Sequence, residues 1–324
     1  MITNRQFQGF LLNFDKLVNL YRKEYSVEVN VNHAVYESSY EKRIRKATQN
    51  LRPLVKKACE SLSINAVVIG RPSKISLVDK TTILLLKTIF KISNRKMAYM
   101  LSIFNSFTNL NISYKSVERI YSDPSVMMTI HNLFILTINE KRLKSVDLSG
   151  DGTGYSLTIT KHYRTQGKKA NGKEKCFVYN FAFKDLDTGL YIGYGIGLRS
   201  EREAYDNARR MLLSLNLKII SVRLDKYYGK SDIDAFGSET RVYLIPKKNA
   251  SASGSSKWHQ NIKELMEDTV MFLGQYYLRN HSESGFSADK RSTGWLILQK
   301  RDDRIETASM GVGLWHNLLL MYND

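Results

Sequence analysis

The stretch from Tyr276 to Lys290 carries side chains whose chemistry suits a metal ion and a phosphate group. Read as one helix at about 100° per residue, a phenol, a guanidinium, a carboxylate, an aromatic ring and an ammonium fall within an arc of roughly 80°. These are Tyr276, Arg279, Glu283, Phe286 and Lys290. A core stripe would be apolar, and a solvated face has no reason to hold one acid between two bases. The pattern predicts one wall of a site that binds a metal and a phosphate.

Two further acids accompany predicted strands upstream. An alternating apolar stretch that starts at Lys144 is broken by Ser-Gly-Asp-Gly-Thr-Gly, which contains Asp151. Asp225 directly follows the apolar strand predicted at 217–224, at the carboxyl end where α/β sheets usually place their ligands. Asp147, inside the apolar stretch, is the alternative first acid, and Asp151 is preferred because Gly-Thr-Gly follows it.

The order of predicted elements brings these acids together. Segments 177–183 and 190–197 flank an Asp-Thr-Gly turn and predict a hairpin, and Ser200 with Glu203 forms a capping box that opens a helix before the strand at 217–224. Three strands, a helix, a strand and more helix is the order of a ribonuclease H-like domain, an α/β fold with a mixed sheet and flanking helices. Its first and fourth strands are neighbours, which would place Asp151 beside Asp225, with Glu283 arriving from the adjacent helix.

Carboxylates placed so close together need a counter-ion. Mg²⁺ accepts hard oxygen ligands and keeps open water positions. Two such ions about 3.5–4 Å apart would activate an attacking oxygen and stabilise the leaving one at phosphorus. The expected chemistry is an in-line displacement at a phosphodiester.

The spacing of the first stretch resembles a known signature. Tyr276, two residues, Arg279, three residues, Glu283, six residues and Lys290 is similar to the Tyr-Arg-Glu-Lys signature of the DDE transposases of bacterial and archaeal insertion sequences. The segments Asp-Gly-Thr-Gly and Leu-Asp-Lys-Tyr-Tyr-Gly-Lys-Ser-Asp precede it in the family's order, so the resemblance covers about residues 70–320. It implies that the catalytic metal ligands are Asp151, Asp225 and Glu283, holding Mg²⁺ or Mn²⁺, with two ions expected. It also implies that Tyr276, Arg279 and Lys290 contact the DNA backbone near the cut.

The N-terminal part predicts a helical DNA-binding region over residues 1–140. Polar caps at Ser93 and Ser113 punctuate three short helices between about 75 and 123, which fits a helix-turn-helix arrangement, with a plain three-helix packing unit as the alternative. On the first interpretation Lys115 and Arg119 enter the major groove, and Arg71 reaches a minor groove or a phosphate. Residues 141–324 would then form the ribonuclease H-like catalytic domain.

Composition agrees with a polyanionic partner. The chain has 324 residues, with 49 Lys and Arg against 31 Asp and Glu, a formal net charge of +18. Neutralising phosphates with these cations releases counterions and gives affinity for any nucleic acid; a generic basic protein is the alternative on composition alone. The sequence contains no apolar run that could span a bilayer, no signal-peptide pattern and no phosphate-cradling Gly-rich loop, and its two cysteines predict neither a disulfide framework nor a zinc site.

Together these patterns predict a transposase that cleaves DNA strands at insertion-sequence ends and transfers them into target DNA. Its partners would be the double-stranded terminal repeats, the target DNA and a second copy of the chain, because two ends must be handled together. A cytoplasmic, nucleoid-associated location is expected, with no membrane partner and no nucleotide cofactor. The alternatives are a general DNA nuclease of the same fold and a domesticated DNA-binding protein without catalysis.

Overall fold

The computed structural model describes residues 2–25, 32–62, 75–105, 109–158 and 177–322. Arg71 lies outside these ranges. In the described residues the helices are α1 (Asn4–Tyr25), α2 (His33–Glu60), α3 (Leu77–Ile89), α4 (Asn94–Ile103), α5 (Tyr114–Ile120), α6 (Pro124–Asn139), α7 (Glu201–Ser214), α8 (Lys230–Ile233), α9 (Ser256–Glu267), α10 (Thr269–Tyr277), α11 (Asn280–Thr293) and α12 (Asp302–Leu320). The strands are β1 (Ser145–Leu157), β2 (Phe177–Asp185), β3 (Tyr191–Gly197), β4 (Lys218–Leu224), β5 (Arg241–Leu244) and β6 (Leu296–Ile297).

The strands of the described residues form one mixed sheet. Its order is β3-β2-β1-β4-β5, and β6 adds to the end of β1. β1, β2 and β3 are antiparallel neighbours, whereas β4 and β6 run parallel to β1 and β5 runs parallel to β4. The hairpin of β2 and β3 and the neighbouring positions of β1 and β4 are as predicted, and β1 and β4 run parallel. The carboxyl end of β4 therefore points toward the same edge of the sheet as the glycine-rich half of β1.

The glycine-rich segment that interrupts the apolar alternation is part of β1, so Asp151 lies on the first strand. Its glycines leave room for side chains from other elements. A Cβ on Gly150 would lie 2.9 Å from Leu224 Cδ2, and one on Gly152 would lie 2.6 Å from Glu201 Cδ. Glycine usually weakens a strand, but here the absent side chains allow close packing from the α7 side of the sheet.

Helix α7 packs directly on β3 through alternating glycines. A Cβ on Gly193 would lie 2.6 Å from Ala208 O, and one on Gly195 would overlap the backbone of Ala204 and Ala208. The capping interaction that opens α7 is present, since Glu203 N donates to Ser200 Oγ at 3.1 Å. Strand β3 is thus held against a helix backbone with no side chain between them.

Gly195→Ala should therefore lower the free energy of unfolding by about 3 kcal/mol, because the new methyl group collides with backbone that cannot rotate away. Gly9→Ala is the matched control: Gly9 is in α1, where the described residues leave more than 4 Å of open space around an added Cβ, and alanine there should stabilise by up to about 1 kcal/mol. Urea unfolding of both variants measures the difference. Equal effects of the two substitutions would contradict this account of β3.

The N-terminal helices and the last helix share one core with the sheet. Ser93 and Ser113 cap α4 and α5 as predicted, each accepting the backbone N–H three residues on. Helix α12 covers the sheet face opposite α7 and is buried over most of its length, with Trp315 Nε1 donating to Leu85 O of α3 at 2.7 Å. A single cluster of buried apolar residues extends from α1 through α12. Across the described ranges, no helix has the length and apolar character required to cross a membrane.

Candidate active site

Three carboxylates from three elements meet around one guanidinium. Arg279 Nη1 lies 3.8 Å from Asp151 Oδ1 and 3.7 Å from Asp225 Oδ2, and Arg279 Nη2 lies 3.0 Å from Glu283 Oε1. Asp151 belongs to β1, Asp225 follows β4, and Glu283 belongs to the first turn of α11. The structure thus brings together the three acids and the arginine that the sequence singled out.

The sheet register explains why two of these acids meet. Ser149 of β1 is paired with Arg223 of β4 in parallel register. Asp151 lies two residues after Ser149 on β1, and Asp225 lies two residues after Arg223, just past the carboxyl end of β4. The two aspartates are therefore neighbours. Neighbouring backbone positions in a parallel pair put side chains of the same face close together.

The helix that carries Glu283 differs from the prediction. A single helix from Tyr276 to Lys290 is wrong, because α10 ends at Tyr277 and α11 begins at Asn280. Between them Arg279 N donates to Tyr276 O at 3.1 Å and Ser282 N donates to Arg279 O at 3.0 Å, so the connection is a tighter turn with three-residue spacing. The common arc predicted for the five side chains therefore does not exist.

Contacts on either side of the turn account for the break. Tyr276 is 4 % exposed and packs in a cluster with Phe14, Tyr243 and Phe272. Ser282 is fully buried and donates to Ser149 O at 2.9 Å, which draws the start of α11 onto β1. The two ends of the turn are thus held by different parts of the core. Phe286 is likewise buried, against Tyr191 with ring centroids 5.6 Å apart, so it belongs to the core and not to the wall of the site.

Tyr276 and Lys290 flank the acids in different ways. The Tyr276 ring centroid lies 5.7 Å from Arg279 Cζ, so the buried phenol ring packs against the guanidinium. Burial raises the pKa of Tyr276 to about 12. Lys290 Nζ donates to Thr153 Oγ1 at 2.6 Å, two residues after Asp151 on β1. Burial lowers the pKa of Lys290.

Asp147, the alternative first acid, has a different environment. Its carboxylate receives Arg223 Nη1 at 2.7 Å and Nη2 at 3.2 Å, and Ser221 Oγ also donates to it. Arg223 is 1 % exposed and continues to Gln275, with Nη2 to Oε1 at 2.6 Å. This arrangement is an ion pair between a buried arginine and a partly buried aspartate, and it connects β1, β4 and α10. It gives Asp147 a partner other than Arg279.

Burial raises the pKa of Asp151 to about 6; the nearby Glu283 and Asp225 carboxylates also raise it, while the Gly152 N–H and Arg279 lower it. The folded protein therefore holds this proton more tightly than the unfolded chain does. By linkage, stability should fall as pH rises from about 4 to about 6 and level off above that. In the Asp151→Asn variant the free energy of unfolding should not show this decrease. Urea unfolding at pH 4 to 7 with EDTA present measures it. An unchanged pH profile in that variant would contradict the assignment.

The chemistry of this cluster fits a divalent cation, since three carboxylates already converge on a positive group. Among the described residues, however, no three acid, histidine or cysteine side chains are arranged as a ready set of metal ligands. Arg279 lies among the acids, and its Nε is buried with no hydrogen-bond partner in the part of the chain that the structure describes. The guanidinium thus takes the position of the counter-ion that the three acids require.

A groove that begins at Asp225 extends along α1. Its volume is about 870 Å³, and its lining includes Asp225 and Arg279 together with Arg22, Lys226, Tyr227, Lys247 and Lys248. Sequence reasoning predicted Asp225 and Arg279 but did not place the other five residues at the site. The walls of the groove come partly from α1 and partly from the segment after β5, which are more than two hundred positions apart. The one available signal was the pair of adjacent lysines after the β5 strand.

The predicted helix-turn-helix residues lie on α5, apart from this cluster. Lys115 and Arg119 are exposed, and Lys115 Nζ pairs with Glu118 Oε2 at 3.2 Å. Arg71 cannot be placed, since it lies outside the described residues. A DNA-contacting role for these three residues stays a prediction.

Comparison with known proteins gives one informative match. The "Probable transposase for insertion sequence element ISA1214" of Archaeoglobus fulgidus is 44 % identical over 284 residues, which cover 87 % of this chain and 87 % of that protein. No family model matches the sequence. Identity at this level over nearly the full length of both proteins requires a common fold and common ancestry, and the chain therefore belongs to the family of this insertion-sequence transposase.

Proposed function

We propose that this protein is a DDE transposase that cleaves DNA strands at the ends of an insertion sequence and joins them to target DNA. The observation that carries the proposal is the convergence of Asp151, Asp225 and Glu283 on Arg279. The name of its archaeal relative, a probable insertion-sequence transposase, supports the same reaction class.

The sheet supports a ribonuclease H-like catalytic domain over residues 141–324. Three antiparallel strands followed by two parallel ones, in the order β3-β2-β1-β4-β5, is the arrangement that this fold requires. Helices cover both faces, with α7 on one and α11 and α12 on the other. Such a sheet presents its ligands at the carboxyl ends of its parallel strands, which is where Asp225 lies.

Asp151, Asp225 and Glu283 would hold Mg²⁺ or Mn²⁺, with two ions proposed. Bound there, the metal would supply Lewis-acid stabilisation of charge at the phosphodiester being exchanged. Arg279 offsets part of the negative charge of the three carboxylates. Its planar fork suits two phosphate oxygens, so its guanidinium can bind the DNA backbone once the acids have another partner. The reaction exchanges phosphodiester bonds and needs no nucleotide cofactor.

The cations around the site provide a path for the DNA backbone. The groove along α1 contributes Arg22, Lys226, Lys247 and Lys248 near Asp225, and Lys290 binds Thr153 on the strand that carries Asp151. In the N-terminal region, Arg71, Lys115 and Arg119 are proposed to bind the terminal repeats. Handling both ends of an element in one reaction requires two catalytic sites, so a homodimer on DNA is proposed. Binding carried by phosphate contacts should weaken steeply with salt.

The test is cleavage of a labelled duplex that carries the DNA flanking this gene, in Mg²⁺ or Mn²⁺, by wild type and by Glu283→Gln. The variant keeps the size of the side chain and loses the charge, so nicking at the element boundary should disappear while duplex binding persists. Glu267→Gln is the matched control, because Glu267 is 64 % exposed and pairs with Lys263 on its own helix; it should cut like wild type.

Each other outcome points to a different protein. Cutting that ignores the terminal sequence would favour a general nuclease. Tight binding of wild type without any nick would favour a non-catalytic DNA-binding protein. Undiminished nicking by Glu283→Gln would remove Glu283 from the metal site.

A further inference from the structure

Two buried serine hydroxyls join the strand that carries Asp151 to the helix that carries Glu283. Ser149 of β1 and Ser282 of α11 are both fully buried. Ser282 Oγ donates to Ser149 O at 2.9 Å, and the two Oγ atoms lie 2.7 Å apart. A hydroxyl has a single proton, so the Ser149 hydroxyl is the donor in the second contact; Lys184 O, another acceptor for the same proton, is farther away at 3.4 Å. Two hydrogen bonds therefore connect one residue of β1 with one residue of α11.

The pair lies between two of the three candidate metal ligands. Ser149 and Asp151 are two residues apart on β1 and so point to the same face of the sheet, and Ser282 directly precedes Glu283 in the first turn of α11. The third acid, Asp225, is placed beside Asp151 by the parallel pairing of β4 with β1. Because Glu283 is the one acid of the three that the sheet register does not place, its distance from the other two depends on how α11 is docked.

Other contacts hold α11 less directly at this point. Phe286 packs in the core three residues after Glu283, and the buried Asp289 carboxylate is bonded six residues after it. Nearer the start of the helix, Lys184 Nζ donates to His281 O at 2.9 Å, but it does so from a flexible four-carbon stem. Short serine side chains joined by two directional hydrogen bonds constrain the first turn more tightly than either kind of contact.

We propose that Ser149 and Ser282 are positioning residues that set the separation of Asp151 and Glu283, and through it the preference of the site for Mg²⁺. This rests on the proposed function, since it takes these acids as metal ligands. Mg²⁺ requires close to ideal octahedral geometry with ligands at about 2.0–2.1 Å, whereas Ca²⁺ accepts looser geometry at about 2.3–2.6 Å. A small shift of Glu283 away from β1 therefore weakens the binding of Mg²⁺ more than that of Ca²⁺.

The experiment measures metal affinity in addition to cleavage. Mn²⁺ bound to the full-length protein is followed by electron paramagnetic resonance, and Mg²⁺ or Ca²⁺ is titrated in to displace it. Ser282→Ala removes both hydrogen bonds and should weaken Mg²⁺ binding about tenfold and Ca²⁺ binding less than about threefold. Ser149→Ala removes only the bond between the hydroxyls and should have the smaller effect. The double variant should match Ser282→Ala, because that substitution already removes the bond that Ser149→Ala breaks.

Ser309→Ala is the matched control. Ser309 is a fully buried serine of α12, and its Oγ has no hydrogen-bond partner within the ranges that the structure describes. Its substitution should leave the affinities for both ions as in wild type. Equal weakening of Mg²⁺ and Ca²⁺ binding in Ser282→Ala would overturn the inference, since a general loosening of the fold would not distinguish the two ions.

Hydrogen exchange in EDTA tests the docking of the helix independently of metal binding. In Ser282→Ala the backbone amides of residues 280–283 should exchange faster, while those around Asp289, which keep their own contacts, should be unchanged. Faster exchange in a protein whose Mn²⁺ binding does not depend on Glu283 would count against the proposed reaction and leave the docking role of the serines standing. Unchanged exchange and an unchanged ratio of Mg²⁺ to Ca²⁺ affinity, with Mn²⁺ binding that Glu283→Gln abolishes, would do the reverse.

Discussion

Asp151→Asn should abolish strand cleavage while making the folded protein more stable at neutral pH. The substitution removes a carboxylate from the proposed metal site, which should lower the cleavage rate by roughly a thousandfold or more. It also removes a buried charge that Glu283 and Asp225 oppose. Because the pKa of Asp151 is raised from 3.8 to about 6, its ionised form costs the folded state about 3 kcal/mol above pH 6. An amide that mimics the neutral acid avoids that cost.

Asp147→Asn should show the opposite pair of effects. Asp147 lies on the same face of β1, but its carboxylate is the partner of Arg223, which is 1 % exposed. Removing the negative charge leaves a buried guanidinium without its counter-ion, which should lower the free energy of unfolding by about 3 kcal/mol. Below the unfolding temperature the cleavage site keeps all three of its acids, so nicking should remain within a few-fold of wild type.

Urea unfolding at pH 7 in EDTA and single-turnover nicking in Mg²⁺ measure both properties on both variants. If instead Asp147→Asn abolished cleavage and Asp151→Asn destabilised the protein, Asp147 would be the first acid of the site. Loss of cleavage in both, with no gain of stability in Asp151→Asn, would mean that the two carboxylates act as one network.

Much of the sheet could be predicted from the sequence because local patterns determine it. Apolar runs marked β2, β3 and β4, and serine caps marked the starts of α4, α5 and α7. Asp225 could be placed because it directly follows a buried strand. These features depend on residues within a few positions of one another.

The parts that failed depend on distant contacts. The centre of the turn between α10 and α11 is formed by Leu278 and Arg279, so neither Gly nor Pro marks it in the sequence. The turn forms because Tyr276 and Ser282 are held by different parts of the core. The continuity of β1 through its glycines requires the side chains of β2, β4 and α7 that fill the space. Asp147 and Asp151 could not be separated by sequence alone, since only the parallel register with β4 shows which of them faces Arg223.

Asp289→Ala should destabilise the protein by about 3–5 kcal/mol, because Asp289 is the buried anchor of the helix that carries Glu283. Its carboxylate accepts from Tyr191 Oη at 2.7 Å and contacts His316 Nδ1 at 2.7 Å, while His316 Nε2 lies 2.9 Å from Gly189 O. Both ring nitrogens thus face oxygen atoms, one from a carboxylate and one from a backbone carbonyl. Without the carboxylate, a buried ring and a buried phenol both lose their acceptor.

The anchor connects α11 to α12 and to the β2–β3 turn, so its loss should also reduce cleavage by displacing Glu283 and Lys290. A double-mutant cycle with His316→Ala, followed by urea unfolding, should give a coupling energy of about 2 kcal/mol, since the second substitution removes a partner already lost. The control is Asp187→Ala, in the same turn but exposed, which should change stability by no more than about 0.5 kcal/mol. Strictly additive effects of Asp289→Ala and His316→Ala would show that the contact does not stabilise the fold. The position of α11 would then depend on its other contacts, among them those of Ser282 and Phe286.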